Sequence, residues 1–259
     1  MKKKDKISFW FYQEKILFIH HFKKEFLSIK TLLCISLSII LIMYSLIGIE
    51  SFDQNILDTN IFWLGFIGAG YSSPFFKFIP IIIGANLISG EFSSKTAMIL
   101  YSTVSRNRIL ISKIIFSIIH LLFIVILSFL LFEIVVLLTM NLTVSINILL
   151  AGFFLIFIEL IFWLALSLIF SALTRSVLAA LGFSYFYMSI SPTFEYYHMK
   201  FLNYNYFRKN IYFFFYETLF NQNNNYEMLL LSFTIVICMP IIIVLVTFYQ
   251  FNKLDIRIN

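Results

Sequence analysis

Long apolar runs, interrupted by short segments that carry most of the Lys, Arg, Asp and Glu, organise this 259-residue chain. A helix that crosses a bilayer needs about 20 mostly apolar residues, and six runs approach or exceed that length. Residues 32–49 contain no charge. Residues 75–88 are interrupted near their start by Lys77 and Pro80, and extend backward into a stretch holding Gly65, Gly68 and Gly70. Residues 109–138 are long enough to cross with tilt or to project beyond the bilayer. Residues 146–173 form a fourth run, residues 177–190 a fifth that is short for a crossing, and residues 228–248 a sixth with Pro240 at its middle. Ahead of them, residues 7–30 read as an interfacial helix. Ile7, Phe11, Phe18, Phe22, Phe26 and Ile29 share one face and Gln13, His20 and Lys24 the other, although Ile16, Leu17 and Leu27 break the pattern. The expected fold class is all-α: a polytopic membrane protein with six transmembrane helices and an N-terminal interfacial helix.

Composition agrees and removes the alternatives. Hydrophobic residues make up 61% of the chain and charged residues 12%, against about 45–50% and about 25% in soluble domains. So few charges cannot cover a globular surface without large apolar patches, and disorder requires low hydrophobicity instead. The thirty-three Phe read first as lipid-facing bulk. Cys34 and Cys238 both lie in apolar runs and read as small buried hydrophobes, not as a disulfide or metal pair.

The net charge of +6 is a topological signal, because Lys and Arg collect on the cytoplasmic side of membrane proteins. Six spans with both termini inside place fifteen of the nineteen bases in the cytoplasm, eight of them Lys within residues 1–31. Five spans would leave a basic terminus outside. No nucleic-acid partner is implied. The chain divides into a cytoplasmic and interfacial segment (1–31), a six-span bundle (32–249) and a cytoplasmic tail (250–259), forming one domain, 1–259. No cleavable leader is expected, since the first apolar run starts late and lacks a small-residue cleavage site.

Catalytic signatures are missing from the sequence: there is no HExxH, no GxSxG and no phosphate-cradling GxxxxGK. ATP is therefore not bound through a P-loop of this chain. Ionisable groups within apolar runs are costly in hydrocarbon and are functional candidates by default. Lys77 and Glu133 lie near the outer ends of the second and third runs at matching depth, which predicts a Lys77–Glu133 pair. His120 and Glu159 lie nearer mid-depth in the third and fourth, with the histidine as the one nearby candidate partner for Glu159 and its angle left open. These four either line a path through the membrane or fix helix packing, with snorkelling a further option for Lys77.

Between the second and third runs the chain reads Ser89-Gly90-Glu91-Phe92-Ser93-Ser94-Lys95-Thr96-Ala97-Met98-Ile99-Leu100, then Tyr101 to Lys113 with Ser105, Arg106 and Arg108. This pattern predicts a short amphipathic helix, a turn and a new helix start, with Ser93 or Ser94 capping the first and Ser105 the second. Met98, Ile99, Leu100 and Tyr101 form an apolar ridge that a cytoplasmic partner or the membrane interface would cover.

The segment resembles the cytoplasmic loop of type-2 ABC export permeases, in which Gly-Glu is followed by Thr, a Leu-rich turn, Pro-x-Ser-Arg and a Lys on the next helix. Gly90, Glu91, Thr96, Leu100, Ser105, Arg106 and Lys113 occupy matching positions. Lys95, Thr103 and Ser112 depart from it, standing where Gly, Pro and Gly are usual. Phe22-Lys23-Lys24-Glu25-Phe26 is similar to the basic-Glu element before the first span. Ala165, Ser167, Ser171, Ala172, Arg175, Ser176 and Ala179 are similar to the small-residue turn between the fourth and fifth.

The resemblance implies a permease subunit of an ATP-driven exporter, coupled to a separate ABC ATP-binding subunit that holds ATP and magnesium, with no cofactor in this chain. It implies a cytoplasmic coupling helix between spans two and three, with Glu91, Lys95, Thr96, Met98, Leu100, Ser105 and Arg106 engaging that subunit. Phe22, Lys24 and Glu25 would belong to the companion interfacial helix. Two permease chains, identical or related, would enclose the path in the cell membrane, and cargo in this group ranges over lipids, polysaccharides, peptides and drugs. Two other readings stand beside it: an intramembrane enzyme built on His120, Glu133 and Glu159, and a non-transporting membrane anchor for a cytoplasmic complex.

Overall fold

Every regular element among the described residues is helical. The computed structural model describes residues 74–94, 105–140, 144–195, 202–220 and 226–253, with Ser36 and Ile40 besides. The first apolar run, apart from those two residues, and the interfacial segment with Phe22, Lys24 and Glu25 lie outside the described residues. So do Lys95, Thr96, Met98 and Leu100.

Among the described residues from Pro74 on, six α-helices follow in order: α1 (Pro74–Ser93), α2 (Arg106–Met140), α3 (Ile146–Thr174), α4 (Val177–Ile190), α5 (Tyr204–Phe220) and α6 (Tyr226–Lys253). A short 3-10 helix, Ser191–Glu195, continues α4. Among the described residues five segments are long and apolar enough to cross a membrane: Phe76–Ser93, Arg106–Leu138, Ile146–Thr174, Val177–Phe194 and Leu229–Lys253. They are the second to sixth runs of the sequence. The fifth run, short by itself, reaches crossing length because the chain keeps coiling through Ser191. At 35 residues, α2 spans about 50 Å at a rise of about 1.5 Å per residue, well beyond the hydrocarbon thickness.

One helix forms the centre. Residues 162–168 of α3 are all buried, as expected of a helix apolar on every side and enclosed by its neighbours. Its most extensive packing is with α1, followed by α6 and α4. By contrast, α2 buries one face and exposes Ile111, Ile115, Ile119, Phe123, Ile126, Leu130, Ile134 and Leu137 at helical spacing on the other, an apolar stripe suited to lipid. The outward face of α6 is similar and carries Cys238, which is exposed rather than buried because only one side of α6 is packed.

Close approach of α1 and α3 rests on small residues. A Cβ on Gly84 would overlap Ser167 Oγ and stand 2.8 Å from the Leu164 carbonyl, so a side chain there would push the helices apart. Pro80 brings no amide hydrogen to the α1 ladder, and the hydroxyl of Ser167 lies 3.3 Å from its carbonyl. One turn further along α3, Ser171 Oγ donates to the Ala85 carbonyl at 2.8 Å and accepts from the Ser89 amide at 2.9 Å. Ser167 and Ser171 therefore place α3 hydroxyls directly against the α1 backbone.

Antiparallel packing gathers one set of helix ends. Arg106, at the start of α2, donates to the Asn252 carbonyl at the end of α6, 3.3 Å away. Arg175, between α3 and α4, holds its guanidinium 5.6 Å from the centre of the Phe92 ring at the end of α1. Arg175 caps α3 in the left-handed conformation, φ 54°, and its amide donates to the Ser171 carbonyl, a C-terminal arrangement that reverses the chain sharply. Ser176 then caps α4, accepting from the Ala179 amide. A second, smaller apolar cluster of Ile88, Leu110, Leu168, Ala172 and Phe251 lies beneath this end, apart from the main core around Phe162 and Trp163.

Candidate functional site

Two buried ion pairs bracket α1, one near each end. Lys77 is on the first turn of α1, where the neighbouring stretch of α3 supplies Glu159; the two charged groups approach to 3.6 Å. Both are nearly inaccessible, at 6% and 2%. Tyr204, the first residue of α5, donates its hydroxyl to the same Glu159 Oε1. The Lys77 ammonium also lies 4.3 Å from the centre of the Tyr204 ring, close enough for cation–π attraction. A charge in hydrocarbon persists only with such compensation. Trp163, one turn beyond Glu159, packs against the Tyr204 ring, with centroids 4.7 Å apart.

This arrangement corrects the Lys77–Glu133 pair expected from depth alone. Depth matched, but the lysine is aimed by its position on α1 at α3, which packs against α1 far more closely than α2 does. Glu133 accepts instead from the Val144 amide at 3.3 Å. Val144 and Ser145 precede α3, whose first turn has no acid of its own and whose Ser145 side chain makes no capping bond. A carboxylate borrowed from α2 thus supplies both an acceptor and a favourable charge beside that N-terminus. The candidate His120–Glu159 partnership does not form. Glu159 belongs to Lys77 and Tyr204, while buried His120 stacks obliquely on Phe116 of its own helix, centroids 5.7 Å apart. Among the described residues no three His, Cys, Asp or Glu side chains gather to hold a metal, and His120, Glu133 and Glu159 have separate surroundings.

At the opposite end of α1 the helix continues past Ile88 and takes in Ser89, Gly90 and Glu91. Glu91 therefore stands on the last turn of a membrane-crossing helix. Its carboxylate lies 2.5 Å from the Lys113 ammonium on α2, and Lys113 also donates to the Leu87 carbonyl. Exposure is 6% for Glu91 and 2% for Lys113. The hydroxyls of Ser93 and Ser94 donate back to the Gly90 and Glu91 carbonyls, at 2.9 and 3.3 Å, and so finish α1. The helix they were expected to start lies outside the described residues. Ser105 stands immediately before α2, its carbonyl accepting from the Arg108 and Ile109 amides.

The structure thus brings Glu91, Ser105 and Arg106 to one end of the bundle and Lys77 with Glu159 toward the other. In the sequence Lys113 stands out as the Lys on the helix that follows the loop motif, whereas nothing singles out Tyr204. Their roles depend on partners 22 and 45 residues away. A polar group in an apolar run was the available signal for Lys113. For Tyr204, in a stretch rich in Tyr and Phe, no such signal existed.

The family model described as ABC-2 family transporter protein matches residues 16–256, a span that takes in every helix described above. No curated protein matches the chain.

Proposed function

Because the chain belongs to the ABC-2 transporter family, we propose that this membrane permease is one subunit of an ATP-driven exporter and is coupled to a separate ATP-binding subunit. Two permease chains, identical or related, enclose the substrate path between them. ATP and magnesium are held by the partner subunit, whose closure on ATP displaces the cytoplasmic loop between α1 and α2. That loop carries Lys95, Thr96, Met98 and Leu100, with Glu91 at one root and Ser105 and Arg106 at the other. The segment with Phe22, Lys24 and Glu25 is its companion at the membrane surface. Both termini lie in the cytoplasm, and residues 32–49 complete six spans.

The observation that carries this reading is the family match over nearly the whole chain, with the loop motif falling between two helices that each reach crossing length. The bundle supports it by collecting Arg106, Arg108, Arg175 and Lys253 at the loop end, as a cytoplasmic face requires. An intramembrane enzyme loses its basis, since the three groups it needed sit in separate surroundings.

Co-purification tests the proposal. A tagged chain co-expressed with the products of its chromosomal neighbours should retain an ATP-binding subunit in detergent and in nanodiscs. Arg106→Glu, which reverses the charge at the loop's end, should weaken retention by about tenfold or more, as loss of one interfacial charge contact does. A wild-type chain that retains no ATPase in either medium overturns the reading.

A further inference from the structure

Glu91 is the acid of the loop motif, and its placement bears on what that acid does. A carboxylate that docks on another protein must be reachable, yet Glu91 is 6% exposed and its ammonium partner 2%. The pair ties the last turn of α1 to the second turn of α2, 2.5 Å between charged atoms, and the bond from Lys113 to the Leu87 carbonyl adds a second tie between the same helices. Beneath it lies the small apolar cluster of Ile88, Leu110, Leu168, Ala172 and Phe251, which joins α1, α2, α3 and α6 at this end. Contacts of Arg106 with the end of α6 and of Arg175 with Phe92 complete the same layer.

Ion pairs buried in this way add little net stability, because desolvation offsets attraction; their best-attested use is to fix one register among several. Here the register in question is that of α1 against α2, and it sets the direction in which the chain leaves α1 at residue 94 and rejoins α2 at residue 105.

We propose that Glu91 and Lys113 form a latch that fixes the roots of the cytoplasmic loop, making Glu91 a positioning residue that transmits force and not a contact on the ATP-binding subunit. The transmission half rests on the functional reading above; the latch itself does not. Removing either charge leaves the loop free to pivot at its roots, so a push on it no longer rotates α1 and α2 together.

The test uses the full chain in nanodiscs, alone and with the ATP-binding subunit, comparing wild type, Glu91→Gln, Lys113→Gln and the exchanged pair Glu91→Lys with Lys113→Glu. In the chain alone, amide exchange over residues 87–93 and 106–113 should rise about a hundredfold or more in each single variant, the scale of losing one buried charged partner, and return toward wild type in the exchanged pair. With the subunit, the single variants should bind it within about threefold of wild type while losing most of the chain's stimulation of ATP turnover, and the exchanged pair should recover it. Unchanged exchange in both single variants, or no recovery in the exchanged pair, overturns the latch. Loss of subunit binding in Glu91→Gln with exchange unchanged would make Glu91 a docking residue after all. A wild-type chain that binds no ATPase while the exchange results hold overturns the functional reading alone and leaves the latch supported.

Discussion

Glu159 receives both the Lys77 ammonium and the Tyr204 hydroxyl on one carboxylate oxygen, so three helices meet on a single side chain. Breaking such a pair leaves an uncompensated charge away from water, whereas removing both charges together removes the problem. Lys77→Met or Glu159→Gln alone should lower unfolding stability by about 3–5 kcal/mol, and Lys77→Met combined with Glu159→Leu should cost less than either. Thermal unfolding of detergent-solubilised protein measures this. Strictly additive losses in the double variant would show that the two residues do not act as a pair. Glu133 behaves differently because its partner is a backbone amide at the foot of α3; its role is that of a cap supplied from a neighbouring helix.

Among the elements, α1 is unusual in being held by polar groups along its whole length. Lys77 binds α3, Ser167 and Ser171 of α3 reach the backbone near Pro80 and Ala85, and Glu91 binds α2. Ser171 both donates to the Ala85 carbonyl and accepts from the Ser89 amide, so its loss leaves α1 backbone groups without that partner in a dry interface. Ser171→Ala should cost about 1–3 kcal/mol and speed amide exchange at Ile88 and Ser89 more than elsewhere in α1. Uniform acceleration along α1 would argue that the serine acts only through general packing. In α5, Tyr204, Phe207 and Ile211 form the buried face, and Phe207 stacks on Phe162 of α3 with centroids 4.5 Å apart. This aromatic helix is therefore docked on α3 along its buried face.

For the molecule as a whole, the alternation of helices separates two faces. The ends of α1 and α6, the start of α2 and the α3–α4 turn share one. The Ser191–Glu195 turn, the start of α3 and the Lys77 cluster lie toward the other. Exposed Ser93 and Thr193 mark the two. In a background with Cys34 and Cys238 replaced, Ser93→Cys should react with a membrane-impermeant maleimide only from the cytoplasmic side and Thr193→Cys only from the opposite side. Labelling of both from one side would contradict the proposed topology.

Residue order alone determined that this chain is a membrane-embedded helical permease of the ABC-2 type. Hydrophobic length, the distribution of Lys and Arg, and the Gly90-Glu91 to Arg106 motif are local quantities, read without knowing where any helix points. Five of the six expected spans appear within a few residues of their expected limits, because a long apolar run in lipid has no alternative to satisfying its backbone internally. Partner choice was not local. Lys77 and Glu133 matched in depth, yet depth leaves the rotation of each helix about its axis undetermined, and it is rotation that aimed Lys77 at Glu159 and freed Glu133 to cap α3. The same holds for Glu91. Its motif announced importance, and only the packing of α1 against α2 decided that its carboxylate turns inward to Lys113.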